Sequence, residues 1–318
     1  MEHMINRFDT NYKKIEDYVS WSVDKRIILM MASYYTARDE EFDAKSFQEV
    51  LDVIKKETHW LSALRMSQIL QFTYAMFFSK ELDKQAAIQN VIANKKILNE
   101  VKFRQTTFTY IAALFLNADD KERQAQNARE LYDEMSKKHR FLTSYEDIPT
   151  SVMQSTGGES DAYLRADTMR RYYDELRSAK FYQGNELQAL SQILTMDSPI
   201  YNPQMVPYVL KVNEVLKANG IKVRTSMIQL LGFLVLMRID EDKLSELIDL
   251  YNILIKQKRF KWYKNEALTV AIQLLLLTSV NRDELETLSL ISLEMAIQAQ
   301  FAMITAAAVA SAAATSSS

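Results

Sequence analysis

The sequence predicts an all-α fold, arranged as an α-solenoid of about seven antiparallel helical hairpins, and three observations predict it. The 318 residues include only five glycines and four prolines, too few for sheets joined by tight turns or for phosphate-cradling loops. Leu, Ala, Lys, Glu, Met and Gln dominate instead, and these are good helix formers. Two separate markers recur with a period of about forty residues, as they do in stacked repeats. A closed α/α barrel is the alternative arrangement of the same hairpins.

The first marker is a series of apolar helical segments, each ending at a polar or small residue. In order they are "IILMMASYYTA" to Ala37, "ILQFTYAMFFS" to Ser79, "FTYIAALFLN" to Asn117 and "IPTSVMQS" to Ser155. "LQALSQILTM" to Met196, "MIQLLGFLVLM" to Met237 and "VAIQLLLLT" to Thr278 follow, at intervals of 42, 38, 38, 41, 41 and 41 residues. A helix apolar nearly all round needs cover on both sides, which neighbouring repeats supply. Small residues sit late in these segments (Ala32, Ala75, Ala113, Ser151, Ser191, Gly232), where they let helices approach closely. The seventh segment has Gln273 at that place.

The second marker lies in the amphipathic helices between them. Each ends on basic residues and a large apolar one: Phe103, Phe141, Phe181, Ile221 and Phe260, spaced 38, 40, 40 and 39, with Trp60 opening the series. Each hairpin thus pairs an apolar helix A with an amphipathic helix B. "TSYE" at Thr143–Glu146 has capping-box spacing before the fourth A helix. Asn219-Gly220 is a helix stop. "STGGES" at Ser155–Ser160 is an A–B turn and lacks the Lys-Ser/Thr of a phosphate loop. The seventh B helix is expected over 283–301, completing one repeat domain over 1–301. The uncharged stretch 302–318 is expected to continue it as a helical overrun and flexible tail.

Composition excludes several classes. With no cysteine, thiolate metal sites, disulfides and thiol nucleophiles are absent, which fits a reducing, cytoplasmic setting. The charged amino terminus lacks the apolar core of a signal peptide. "ALTVAIQLLLLTSV" is too short to span a bilayer, so no membrane span is expected. A net charge of −2 and a pI near 6.1 give no global attraction to polyanions.

At "RFLTSYEDIP" and "FYQGNELQALSQILTM" the joints between hairpins resemble the bacterial family catalogued as domain of unknown function 4003. The resemblance covers essentially the whole chain. It implies the helical fold and a bacterial setting, and supplies no activity. The segment "IPTSVMQSTGGES" is shorter and more polar than the family pattern implies.

No cofactor or metal is expected. His3, His59 and His139 are isolated, without ligand-type neighbours at helical spacing. His139 reads as a last-turn cation complementing a helix dipole. Asp119-Asp120 and Asp240–Asp242 begin B helices, where carboxylates meet the dipole, and no aspartate completes a metal-binding DDxxD motif after Asp119-Asp120.

The densest local motif is Lys256, Lys258, Arg259, Phe260, Lys261, Trp262, Tyr263 and Lys264. Cations interleaved with aromatics suit single-stranded nucleic acid, yet the motif is also one instance of the repeated B-helix end. A–B turns are acidic and B–A turns basic, so one positive and one negative edge are expected. Tyr132, Tyr172 and Tyr251, each nine residues before a terminal Phe, are candidate groove contacts or half-buried packing residues. Helical repeats commonly bind polypeptides. The expected function is therefore a non-enzymatic protein- or peptide-binding scaffold, with nucleic-acid binding along the basic edge or an α/α-barrel enzyme as alternatives.

Overall fold

A computed structural model describes residues 1–19, 23–155, 158–196 and 198–279. The expected seventh B helix and the tail beyond it lie outside these residues. Among the described residues there are fifteen α-helices and no strand. Contacts divide the chain into two compact units, one built from Met1–Phe42 with the chain from Tyr208, the other from Asp43–Pro207.

The Asp43–Pro207 unit holds α3 (Ala44–Glu57), α4 (Ala63–Met66), α5 (Gln68–Phe78), α6 (Lys84–Glu100), α7 (Thr107–Ala113), α8 (Lys121–Lys138), α9 (Ile148–Met153), α10 (Ala162–Ser178) and α11 (Asn185–Ile193). The amphipathic α3, α6, α8 and α10 pack in succession, and α5, α7, α9 and α11 pack against them. The small residues Ala75, Ala113, Ser151 and Ser191 are all fully buried. The fourth apolar helix is short, as its polar sequence implies: α9 has six residues and starts with Pro149 near its amino end. The capping box lies on the 3₁₀ turn Tyr145–Asp147 that leads into α9, one residue on from the predicted one. Ser144, not Thr143, is the cap, and its N–H donates to Asp147 Oδ2 at 2.7 Å.

In the terminal unit, α1 (Glu2–Tyr18) packs on α2 (Lys25–Ala37), and α2 packs on α15 (Lys264–Ser279). The first and the seventh apolar helices are therefore neighbours, which a strictly linear stack would keep apart. Ser33 Oγ donates to Gln273 Oε1 across that contact, so the one large residue in the small-residue series gains a partner. Most of α12 (Met205–Ala218), with α13 (Gln229–Leu236) and α14 (Glu241–Leu254), completes the described part of this unit.

Acidic A–B turns cap the B helices. Asp83, Asp120 and Asp240 accept from the backbone N–H of Ala86, Arg123 and Lys243 at 2.8, 2.9 and 2.8 Å, and Asp43 accepts from Lys45 and Ser46. A cap of this kind contributes about 1 kcal/mol.

The basic-apolar marker has a backbone cause at three places. Lys102, Lys180 and Gly220 have φ of 69°, 68° and 78°. The following N–H, of Phe103, Phe181 and Ile221, returns to Leu98, Leu176 and Leu216 carbonyls at 3.1, 3.1 and 2.9 Å. These are Schellman stops, in which a left-handed residue precedes an apolar one that folds back. Lysine in that conformation carries a steric cost that glycine avoids. Lys102→Gly is accordingly expected to raise stability by about 0.5–1 kcal/mol, read as a higher urea midpoint. Gly220→Ala is expected to lower it by about 1 kcal/mol or more, although its Cβ meets no atom within 4 Å.

The marker fails at two places. Phe103, Ile221 and Phe260 are buried, but Phe141 is 96% exposed and Trp60 65%. At the third B-helix end His139 occupies the interior instead, edge-on to Tyr173 at 4.8 Å. Burial, with Arg170 and Lys138 nearby, pushes its pKa down to about 4. His139 is thus neutral near pH 7 and does not complement the helix dipole as a cation.

Candidate functional site

In the Asp43–Pro207 unit the first three B–A turns are linked, since α4 contacts α7 and α7 contacts the turn at Tyr145–Asp147. The first of these turns is fixed by Arg65, whose Nη1 donates to the carbonyls of Lys55 and Thr58 at 2.9 and 3.3 Å. That anchoring leaves Trp60, Leu61 and Met66 exposed. In the second turn Phe103 is buried edge-on to Tyr132, 5.6 Å away, and the Arg129 guanidinium covers both rings. The third exposes Phe141 and part of Tyr145. The fourth exposes Tyr182.

Charge divides by turn type in this unit. The B–A turns at 55–67, 100–107, 137–146 and 177–186 carry ten Lys or Arg (Lys55, Lys56, Arg65; Lys102, Arg104; Lys137, Lys138, Arg140; Arg177, Lys180) against Glu57, Glu100, Glu146 and Glu186. The A–B turns at 79–84, 116–122 and 155–161 hold seven carboxylates (Glu81, Asp83; Asp119, Asp120, Glu122; Glu159, Asp161) against Lys80, Lys84 and Lys121.

The candidate groove tyrosines separate. Tyr172 is 1% exposed, stacks near Tyr201, and its hydroxyl accepts from Asn202 N–H at 2.9 Å. Its surroundings fit packing. Tyr132 and Tyr251 are half-buried.

In the terminal unit the basic-aromatic motif is split by a 3₁₀ turn over Lys258–Phe260. Phe260 is fully buried against Phe8, with ring centroids 6.1 Å apart. Arg259 is pinned beside it. Its guanidinium lies 4.4 Å from the centre of the Tyr12 ring and 2.9 Å from Asp9 Oδ1. Lys258, Lys261 and Trp262 face outward, Trp262 being 83% exposed with Lys261 Nζ 5.3 Å from its ring centre. Lys256 and Lys264 are exposed and Tyr263 is half-buried.

These turn residues form one wall of a cleft of about 830 Å³. The other wall comes from Asp9, Tyr12, Lys13 and Glu16 of α1, with Lys25 of α2, and Gln257 joins the turn side. Lys25 Nζ lies 5.8 Å from the Tyr12 ring centre. The Tyr12 hydroxyl donates to Glu16 at 3.0 Å, and burial with this carboxylate raises its pKa. The cleft therefore holds five cations and two carboxylates. No group of three His, Asp or Glu close enough to hold a metal occurs among the described residues. Among the described residues no helix is long and apolar enough to cross a membrane.

Sequence reasoning missed the α1 wall, because nothing local ties Tyr12 to a turn some 250 residues later. It also missed a set of polar clamps. Asn11, Asn94, Gln124 and Arg165 are buried on amphipathic helices and hydrogen-bond the ends of apolar ones. Gln124 binds the backbone just past the third A helix and that of the fourth.

Comparison with known families gives a match over residues 11–302 to a family described as "Protein of unknown function (DUF4003)". The chain belongs to this family. The relative "Uncharacterized protein YeaA" of Bacillus subtilis (strain 168) is 26% identical over 313 residues, covering 95% of this chain and 93% of that protein. No solved structure matches. Membership of the family agrees with the resemblance read from the hairpin joints, and like it assigns no chemistry.

Proposed function

We propose that the protein is a cytoplasmic, non-enzymatic scaffold, a helical-hairpin repeat domain over residues 1–301 that is not a strictly linear solenoid, and that its ligand is an acidic protein or peptide segment. The observation that carries this reading is the turn side of the Asp43–Pro207 unit. There Trp60, Phe141 and Tyr182 stand exposed in turns that hold ten cations and four carboxylates. Aromatic anchors supply much of the energy of protein interfaces. The surrounding cations steer an acidic partner and reject a basic one. The preference for polypeptide over other ligands rests on analogy with other helical repeats.

The test is fluorescence anisotropy with the full chain and a labelled 20-residue peptide alternating Glu with Leu and Phe. Binding is expected to weaken with salt and to fall at least tenfold in the combined Trp60→Ala, Phe141→Ala and Tyr182→Ala variant. These side chains are exposed, so circular dichroism should be unchanged. Equal affinity for a peptide with Lys replacing Glu, or for the triple variant, would contradict the proposal.

Single-stranded nucleic acid on the same turns is the second reading, favoured by aromatics interleaved with Lys102, Arg104, Arg140 and Lys180. It requires retention of single-stranded RNA that falls steeply with salt and exceeds that of the acidic peptide.

A further inference from the structure

We propose that the cleft between α1 and the Gln257–Trp262 turn binds a nucleoside phosphate, with the base against Trp262 and the phosphate oxygens among Lys25, Lys258 and Lys261. This inference concerns the terminal unit and does not rest on the peptide reading of the other one.

Four observations favour this ligand class. The volume, about 830 Å³, lies within the usual range of small-ligand sites. The charge is asymmetric, with five cations, and both carboxylates are already engaged: Asp9 pairs with Arg259, and Glu16 accepts from Tyr12. Glu16 keeps its charge in that bond and Lys13 lies 3.4 Å from Asp17, so the excess that suits a polyanion rests on Lys25, Lys258 and Lys261. Trp262 presents an exposed flat ring with an ammonium at 5.3 Å, so a base stacked there would carry its phosphates toward lysine. Stacking on an aromatic ring is open to every base.

The fourth observation concerns the turn side chains. Arg259 Nη1 and Gln257 Oε1 are buried without hydrogen-bond partners, in side chains that line the cleft. Both atoms are shut off from solvent, so a ligand meets this unmet capacity for one donor and one acceptor only when the two side chains turn toward the cleft. A nucleoside phosphate offers oxygens to the first and hydroxyl or amino donors to the second, whereas acidic side chains offer acceptors alone. The floor is also preorganised. The Phe8 and Phe260 rings are fully buried beneath Arg259, and Arg259 is held between Asp9 and Tyr12, so ordering it costs a ligand little.

The experiment is calorimetric titration of the full chain at low salt with ADP, adenosine, inorganic pyrophosphate and a 5′-phosphorylated oligoadenylate. ADP is expected to bind saturably with Kd below about 1 mM, and adenosine and pyrophosphate at least tenfold more weakly. Trp262→Ala should weaken ADP at least tenfold and leave pyrophosphate within twofold. Lys258→Gln with Lys261→Gln should weaken both. The oligonucleotide arm separates the sources. Affinity no greater than that of ADP assigns a free nucleotide, and higher affinity lost in Trp262→Ala assigns a nucleotide of a strand. Absence of saturable ADP binding up to about 5 mM overturns the proposal. Unchanged ADP affinity in both variants, or displacement of ADP by tighter binding of the acidic peptide, also overturns it.

Discussion

Gln124→Ala is expected to lower the unfolding free energy by about 3 kcal/mol. The side chain is 3% exposed and makes four hydrogen bonds from α8. Its Oε1 accepts from Asn117 and Ala118 N–H at 3.1 and 3.0 Å, and its Nε2 donates to the Phe115 and Val152 carbonyls at 3.0 and 3.2 Å. Truncation leaves the buried Phe115 carbonyl without this donor and strips one of two from the Val152 carbonyl, which keeps the Ser155 N–H at 3.2 Å. The Asn117 and Ala118 N–H groups lie nearer solvent. A buried group left unpaired costs about 1–3 kcal/mol. Water entering the new space lowers the sum, which sets the estimate near the cost of one or two groups. Gln124→Glu keeps the accepting oxygen but loses both donations and buries a charge, so it should be no better tolerated. Gln89 donates to Glu57 on the surface at 2.9 Å, and Gln89→Ala should change stability by less than about 0.5 kcal/mol. Urea unfolding followed by circular dichroism checks the comparison. A Gln124→Ala loss below about 1 kcal/mol would mean the clamp is not needed.

Acid titration of the Asp43–Pro207 unit is expected to show two opposed contributions from one turn. Burial pushes Asp147 up to about 6, against hydrogen bonds from Ser144, Gln192 and Gln188 that favour its charged form. From pH 4 to 6 the folded chain holds a proton at Asp147 that the unfolded chain has released, so this residue makes stability fall as pH rises. The contribution approaches about 3 kcal/mol at its full extent.

His139 has the reverse sign. Its folded pKa of about 4 lies below the ordinary 6.5. Between these values the unfolded chain holds the extra proton, and stability rises with pH. Asp147→Asn should therefore expose a steeper rise from pH 4 to 6, and His139→Phe a net fall over the same range. Gln188 Oε1 has no partner, so an amide flip lets it accept from the new asparagine or from protonated Asp147. Urea midpoints measured at half-unit intervals resolve the slopes. Parallel curves for wild type and both variants would contradict the assignment.

The helical class and the apolar segments were legible because burial on both sides demands sequences such as "MIQLLGFLVLM". The basic-apolar marker was legible as a period but not as geometry. At Lys102–Phe103 and Lys180–Phe181 it reports a left-handed backbone, whereas at Arg140–Phe141 the aromatic turns outward because His139 fills the interior. Tyr172 and Tyr132 share a phase yet differ in burial, since only Tyr172 meets the 201–202 segment. The clamps Asn94, Gln124 and Arg165 were hidden because polar residues on an amphipathic helix read as its wet face. The cleft was half visible: Lys258, Lys261 and Trp262 stood out, while Tyr12 and Lys25 carried no local signal.

Hydrogen exchange of the full chain with and without the Glu-Leu-Phe peptide tests the scaffold reading most directly. Protection is predicted in the turns at 58–67, 101–107, 139–146 and 179–185, with the acidic turns at 116–122 and 155–161 unchanged. Protection of the acidic turns, or none at the basic ones under saturating peptide, would contradict it.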